Sequence, residues 1–480
     1  ALTGETPELR PVDNIYFDLP SYLDFLKGFT KKLEGDETVR SVVVKTLEEW
    51  LNPPQLYIQN KFREAFDAIE GELPPHTVTE PEGNKSSFTV TFPSWRERDD
   101  AHEVLGAGGV RFRSGKALVP FRLTGNIAWG VPVTDECGCS GLTCWVWPES
   151  LWAPVSFTRT ALAADEQAGG TRYAAHNWRD WWCDPEAHVY QFIGQDNIYF
   201  YGIAQTAMWE ALGWNMQQST LVANYHVLYM GKKASSSSKT PPPPASELLD
   251  HYSAEQLRAH FLSLGLGEKP VSFSPKAYDL RETGKNPDGS PLLARDDKRV
   301  IDPVLKEGAL LTNVFNRLAR SCFYEAQKNF DGCMPLGAVT PEVRRRAFEA
   351  LLDYEERMHK VELHRVMSVC DEFIRWSNKW WADGIKAAEA SEDADARRQV
   401  LVDSFYLLRV ACLLMHPVVP VGCEKICDYL SFDFGDFFSW NYDFDSNDEL
   451  CPAIEIDAGA HRIHELPPRF DFFSKHESQY

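Results

Sequence analysis

No stretch of this chain is apolar for long enough to cross a bilayer, so a membrane-spanning helix is not expected. Basic residues are in deficit. Lys and Arg number 49 against 70 Asp and Glu, a net charge of −21, which counts against a general nucleic-acid surface unless a local basic face exists. No secretory leader is visible, because Ala1-Leu-Thr-Gly-Glu5 opens polar and acidic. The 11 cysteines are odd in number and scattered, with Cys370 and Cys412 inside apolar periodic segments. That pattern suggests reduced thiols in a cytoplasmic protein. Cys137, Cys139 and Cys144 lie close together but lack a fourth ligand at knuckle spacing, so no metal is expected there.

What is present suits a multidomain globular protein. Its 480 residues are 44% hydrophobic and 25% charged, enough for about two to four cored domains. The most informative stretch is Tyr190 to Ser238. Tyr190-Gln-Phe-Ile-Gly194 is an apolar run that ends in a polar turn. Gly202 to Trp214 is amphipathic, and Leu221 to Met230 is a second apolar run followed by Gly231-Lys-Lys-Ala-Ser-Ser-Ser-Ser238. Strand, helix and strand in that order make a β-α-β unit with parallel strands. Ligands of such sheets bind beyond the carboxyl ends of the strands. Asp196 is placed to take ribose hydroxyls, and Lys232 and Lys233 with the following serines are placed to hold phosphates.

The remainder reads as follows. Ser21 is an expected N-cap of a helix through Leu33, and further helices are expected over 37–51 and 59–69. Residues 71–119 change character: Ser86 to Phe92 reads as a strand and 96–102 as a charged turn or short helix. This stretch reads as an inserted lobe with no assigned chemistry. A helix is expected from Ser246 or Glu247 to Leu264. From Ile301 the pattern is helical almost to Leu430, giving an antiparallel bundle. Within it Asn316 and Arg320 share a helix face. Residues 431–480 are acidic and aromatic and read as a tail packed back on the bundle.

These residues carry a resemblance. The order Phe192-Ile-Gly-Gln-Asp-Asn-Ile-Tyr-Phe200, helix, strand, Gly231-Lys-Lys-Ala-Ser235 resembles the second half of the nucleotide-binding fold of the methionyl-tRNA synthetases, class I enzymes whose "KMSKS" loop matches Lys233 to Ser237 with Ser236 replacing the second lysine. Arg122 to Val133 is similar to the family's "TRDLKWGxPVP" phrase. Leu142 to Pro154 is similar to its "YVWxDAPxGY" wall, and Phe315 to Arg320 and Arg375 to Trp381 are similar to phrases of its anticodon-binding bundle.

The resemblance implies a fold class of α/β plus all-α: half of a Rossmann-type parallel sheet, then an anticodon-type helical bundle. The implied divisions are a helical connective-peptide remnant over 1–70, the lobe over 71–119, the sheet over 120–235, a loop exit and stem-contact region over 236–300, the bundle over 301–430 and the tail over 431–480. It implies a methionine–tRNA ligase part using ATP with Mg2+, methionine and tRNA, with no zinc ligand set. Lys232, Lys233 and Ser235 take the catalytic loop positions. Gly194, Asp196, Asn224 and Lys233 take the ATP positions, Trp147, Glu149, Tyr201 and Gln205 the amino-acid pocket, and Asn316, Arg320 and Trp381 the anticodon site, with Trp381 as the stacking platform. No "HIGH"-like phrase occurs among the 13 histidines, which implies the carboxyl-terminal portion of a longer enzyme, slow turnover alone and a separate amino-terminal half as partner. Two other functions remain open: adenylation of another amino acid for a non-tRNA acceptor, suggested by the altered pocket, and a non-catalytic tRNA-binding module.

Overall fold

The computed structural model describes residues 12–81, 83, 86–233, 242, 244–275, 286–290, 301–440 and 461–479. The chain divides into two compact units, Ala1–Asn224 and Tyr225–Tyr480.

The first unit opens with β1 (Tyr16–Phe17) and a 3-10 turn, Leu19–Tyr22, that leads into α1 (Leu23–Leu33). Ser21 sits inside that turn and gives its hydroxyl proton to the Asp18 carbonyl, so it does not cap α1. Leu19 and Leu26 are fully buried and meet Leu47 of α2 (Ser41–Trp50) in one cluster. α2 is shorter than the periodicity suggests, since Glu37 to Arg40 form turns ahead of it.

The next segment corrects the reading of a third helix over 59–69. Gln55-Leu-Tyr-Ile-Gln59 alternates half-buried and buried residues as β2 (Gln55–Gln59), and only the five-residue α3 (Arg63–Asp67) follows as α-helix. β2 pairs with β4 (Ser87–Thr91) and β5 (Phe112–Ser114), and β4 pairs with β3 (Thr77–Thr79), all antiparallel, in the order β3-β4-β2-β5. The charged stretch is a full helix, α4 (Trp95–Ala107), with the Ser94 hydroxyl accepting from the Arg96 N–H. The lobe therefore begins with β2 and not at residue 71. Its core is Leu56, Ile58, Phe66, Phe88, Val90, Ala101 and Leu105.

β6 (Phe121–Arg122) returns to pair with β1, and β7 (Thr124–Gly125) pairs with β8 (Thr143–Cys144). α5 (Val146–Gln167) and the short α6 (Trp178–Trp182) follow. Then β9 (Tyr190–Gly194) and β10 (Thr220–Asn224) pair in parallel, joined through a π-helical turn, Phe200–Ala204, and α7 (Gln205–Leu212). The expected β-α-β unit is present, with two strands in the parallel sheet of this unit.

In the second unit β11 (Val227–Tyr229) turns back into β12 (Lys232–Lys233) and pairs in parallel with β13 (Val271–Phe273). The apolar run from Leu221 to Met230 is thus two strands, broken at Tyr225-His226, where the Tyr225 N–H bonds to the Leu266 carbonyl. The boundary expected at 235 moves to 224 for that reason. The single helix expected to end at Leu264 is split into α8 (Ala245–Leu248) and α9 (Ala254–Ser263), the latter opened by a Ser253–Gln256 capping box.

Asp302 caps α10 (Pro303–Ala309), and a π-helical turn, Leu310–Phe315, runs into α11 (Asn316–Asn329). A two-residue strand, β14 (Cys333–Met334), interrupts the helices and pairs with β15 (His461–Arg462) of the tail. α12 (Pro341–His359), α13 (Leu363–Ser391), α14 (Ala394–Met415) and α15 (Pro420–Tyr429) follow through short turns, which makes successive helices antiparallel neighbours. Their shared core contains Phe315, Phe323, Phe373, Leu407 and Leu414, all fully buried. At about 25 cal/mol per Å2 of apolar surface, such burial is the main stabilising term of this unit.

Candidate functional site

β9 and β10 end side by side. Gly194 is the register partner of Asn224, so the polar turn Gln195–Asn197 and the Asn224 amide meet at the carboxyl end of the sheet. A Cβ at Gly194 would lie 2.6 Å from the Asp196 Oδ1, so a side chain there would displace that carboxylate. The exposed Asp196 carboxylate therefore folds back over Gly194. Asn224 is held from below. The Arg40 guanidinium donates to its Oδ1 at 2.7 Å and to the Ala223 carbonyl at 2.7 Å. Burial pushes the Arg40 pKa down, but a guanidinium remains charged at any working pH. Arg40 was not legible as a site residue, because nothing near it in sequence marks a residue that meets Asn224 across 184 positions.

An aromatic wall stands beside this turn. Trp147 stacks on Phe200 with centroids 3.6 Å apart and planes 5° off parallel. Tyr199 packs on Trp50 at 4.3 Å, and burial pushes its phenol up to about 12. Glu149 is exposed in the first turn of α5, and Tyr201 is half-buried at the π-helical turn. Such turns leave a helix locally widened and recur at functional sites. Gln205 does not join the pocket. It is 1% exposed, its Nε2 donates to the Leu151 carbonyl at 2.8 Å, and its Oε1 accepts from Gln191 at 2.8 Å. A satisfied buried amide of this kind fixes α7 to α5 and β9.

In the second unit Lys232 and Lys233 are exposed. They occupy a hairpin arm and not a free loop: Met230 and Gly231 both take positive φ, and Lys232 pairs with Tyr229. Ser235 lies outside the described residues. Two of the three anticodon positions are corrected by burial, and the third is engaged by an ion pair. Trp381 is 8% exposed and belongs to the bundle core, whereas a base-stacking indole needs an open face. Asn316 is fully buried, with its amide bonded to Phe473 of the tail and to Asp471. Arg320 pairs with Asp471 at 2.9 Å. On the same helix as Trp381, the half-buried indoles are Trp376 and Trp380, stacked at 5.4 Å. Among the described residues, no three His, Cys, Asp or Glu side chains gather as a metal site.

Residues 111–281 match the family model described as tRNA synthetases class I (M). Among curated proteins, a methionine–tRNA ligase of Haloarcula marismortui is 23% identical over 440 residues, covering 88% of this chain and 48% of the relative. One of Phocaeicola vulgatus is 22% identical over 329 residues, covering 68% and 42%. The chain thus spans about half the length of the curated relatives it matches. Among solved structures, the methionyl-tRNA synthetase of Mycobacterium tuberculosis in complex with methionyl-adenylate superposes with a TM-score of 0.56 at 17% identity, covering 96% of this chain and 68% of that one. By family model over residues 111–281, by sequence relatives and by fold, the chain is similar to methionyl-tRNA synthetases.

Proposed function

We propose that this chain is part of a methionine–tRNA ligase, a class I enzyme that activates methionine with ATP and passes the acyl group to tRNA. The observation that carries the reading is the register pairing of Gly194 with Asn224, which sets Asp196 at the carboxyl end of a parallel pair within the stretch matching the class I family.

The chemistry is mainly orientation and charge stabilisation. The methionine carboxylate attacks the α-phosphate of ATP and pyrophosphate leaves, giving the adenylate. The Asp196 carboxylate accepts from the ribose hydroxyls, and Asn224, steadied by Arg40, presents an amide to the nucleotide. Lys232 and Lys233 neutralise phosphate charge. Mg2+ belongs to the substrate as its ATP complex. The stacked pair Trp147–Phe200, with Glu149 and Tyr201, lines the amino-acid side. The commitment of Gln205 to the core favours a second reading, adenylation of a different amino acid, because one polar group expected to read the substrate is spent on packing.

ATP–pyrophosphate exchange by the purified chain with each amino acid tests this reading. Exchange that depends on methionine, slow without the family's histidine motif, supports the ligase. Faster exchange driven by another amino acid transfers the assignment to the second reading. Absence of exchange together with tight tRNA binding identifies a non-catalytic module.

A further inference from the structure

The lobe of the first unit is built in the order β2-α3-β3-β4-α4-β5, with the strands arranged β3-β4-β2-β5. That is the β-α-β-β-α-β arrangement of the split βαβ fold, in which both helices cover one face of a four-stranded antiparallel sheet. The covered face here carries Leu56, Ile58, Phe88 and Val90, all buried against Phe66, Ala101 and Leu105. Strand alternation then puts the intervening residues on the other face.

On that face one rung of the sheet is continuous across all four strands. Thr79 is the register partner of Thr89, Thr89 of Tyr57, and Tyr57 of Arg113. The Arg113 guanidinium lies over the Tyr57 ring, 4.9 Å from its centroid. Tyr57 is half-buried, and its hydroxyl donates to the Gln55 Oε1 at 3.1 Å, which holds the ring in place. Gly115 lies beside the ring, where a Cβ would come within 3.2 Å of its edge.

A cavity of about 830 Å3 opens over this face. Among the described residues its lining includes the cations Lys61, Arg111 and Arg113 and no Asp or Glu. The three cations are exposed, and among the described residues none is paired with a carboxylate. In a chain with 70 acidic and 49 basic residues, a face whose described lining carries three cations and no acid is not an average sample of the surface. A solvent-facing sheet is ordinarily polar, and threonine and glutamine need no further account. The fixed ring, the guanidinium over it and the three exposed cations do.

We propose that this sheet face binds single-stranded RNA. A base stacks on the platform formed by Tyr57 and the Arg113 plane, and aromatic rings and guanidinium planes are the surfaces on which unpaired bases are held. Lys61 and Arg111 track the phosphates, and Gln59 and Thr89 offer hydrogen-bonding groups at the base edges. The site lies on a different sheet from the strand-end nucleotide turn and goes beyond the ligase reading. It also supplies the local basic face that the overall charge would otherwise deny to an RNA-binding protein.

The test is fluorescence anisotropy of a labelled oligouridylate of about eight nucleotides with the full chain, a length within the usual site size of single-strand binders. Tyr57→Ala should weaken binding roughly 5- to 100-fold, the equivalent of one lost stacked base. Tyr57→Phe should retain it. Arg111→Gln and Arg113→Gln should each weaken it and lower the slope of log affinity against log salt by about 0.7. Arg96→Gln, which removes one charge from α4 on the opposite side of the sheet, should leave affinity unchanged. Circular dichroism melting of each variant confirms folding, and if Tyr57→Ala melts early the two arginine variants decide. The proposal is overturned by absence of binding, by variants of the sheet face that bind like the parent, or by equal weakening in Arg96→Gln. Displacement of the RNA by poly-glutamate at matched charge, or tighter binding of single-stranded DNA, would overturn it too.

Discussion

Asn316 and Phe473 exchange a pair of hydrogen bonds: the Asn316 Nδ2 donates to the Phe473 carbonyl at 2.9 Å, and the Phe473 N–H donates to the Asn316 Oδ1 at 3.0 Å. The two residues are 157 positions apart, and their amides are buried. Phe473 also stacks on Phe315 at 4.7 Å and packs so closely on Gly422 that a Cβ there would fall 2.2 Å from its ring. Asn316 and Arg320, expected to read an anticodon, instead fasten the tail to the bundle.

Asn316→Ala should therefore act on stability. It strands the buried Phe473 N–H and carbonyl, and an unsatisfied buried group costs about 1–3 kcal/mol. Urea unfolding should show that loss, and hydrogen exchange should rise at Phe472 and Phe473. A variant as stable as the parent would contradict the clamp.

Trp381→Ala should behave as a core truncation, costing about 3–5 kcal/mol. Melting and tRNA affinity measured on the same sample separate the roles. An unchanged melting temperature with weakened tRNA binding would return Trp381 to the anticodon site.

His260 gives a pH dependence. It is 4% exposed with neither ring nitrogen hydrogen-bonded, and desolvation holds its pKa below the usual histidine range, partly opposed by Asp302. The unfolded chain takes up the proton first as pH falls below about 6.5, while the folded chain resists it. This contribution to stability is present above the unfolded pKa and is lost as pH falls through the folded one. Urea midpoints between pH 7 and pH 5 should decline more steeply for the parent than for His260→Phe, and parallel profiles would remove His260 as the cause.

How much of this was legible in the sequence depends on range. The turn after Gly194 and the unit around it could be read because strand, turn and helix signals are local. The helices from Pro341 to Tyr429 could be read because their 3.6-residue apolar period is long. β2 escaped because five alternating residues after Pro53-Pro54 give too short a signal, and its strand character is set by partners at Ser87–Thr91 and Phe112–Ser114. Trp381 and Gln205 were misplaced because sequence shows that a residue lies on a helix but not which neighbour covers it. The Gln205 carbonyl partner is 54 residues away.

We propose that the carboxyl end of the β9–β10 pair holds the ribose of ATP through Asp196. Isothermal titration of ATP into the purified chain, beside the Asp196→Ala variant, tests it most directly. The account predicts saturable binding that the substitution weakens about 10- to 100-fold, the worth of hydrogen bonds to a charged carboxylate. ATP affinity identical in the two proteins, or no binding to the parent, would contradict it.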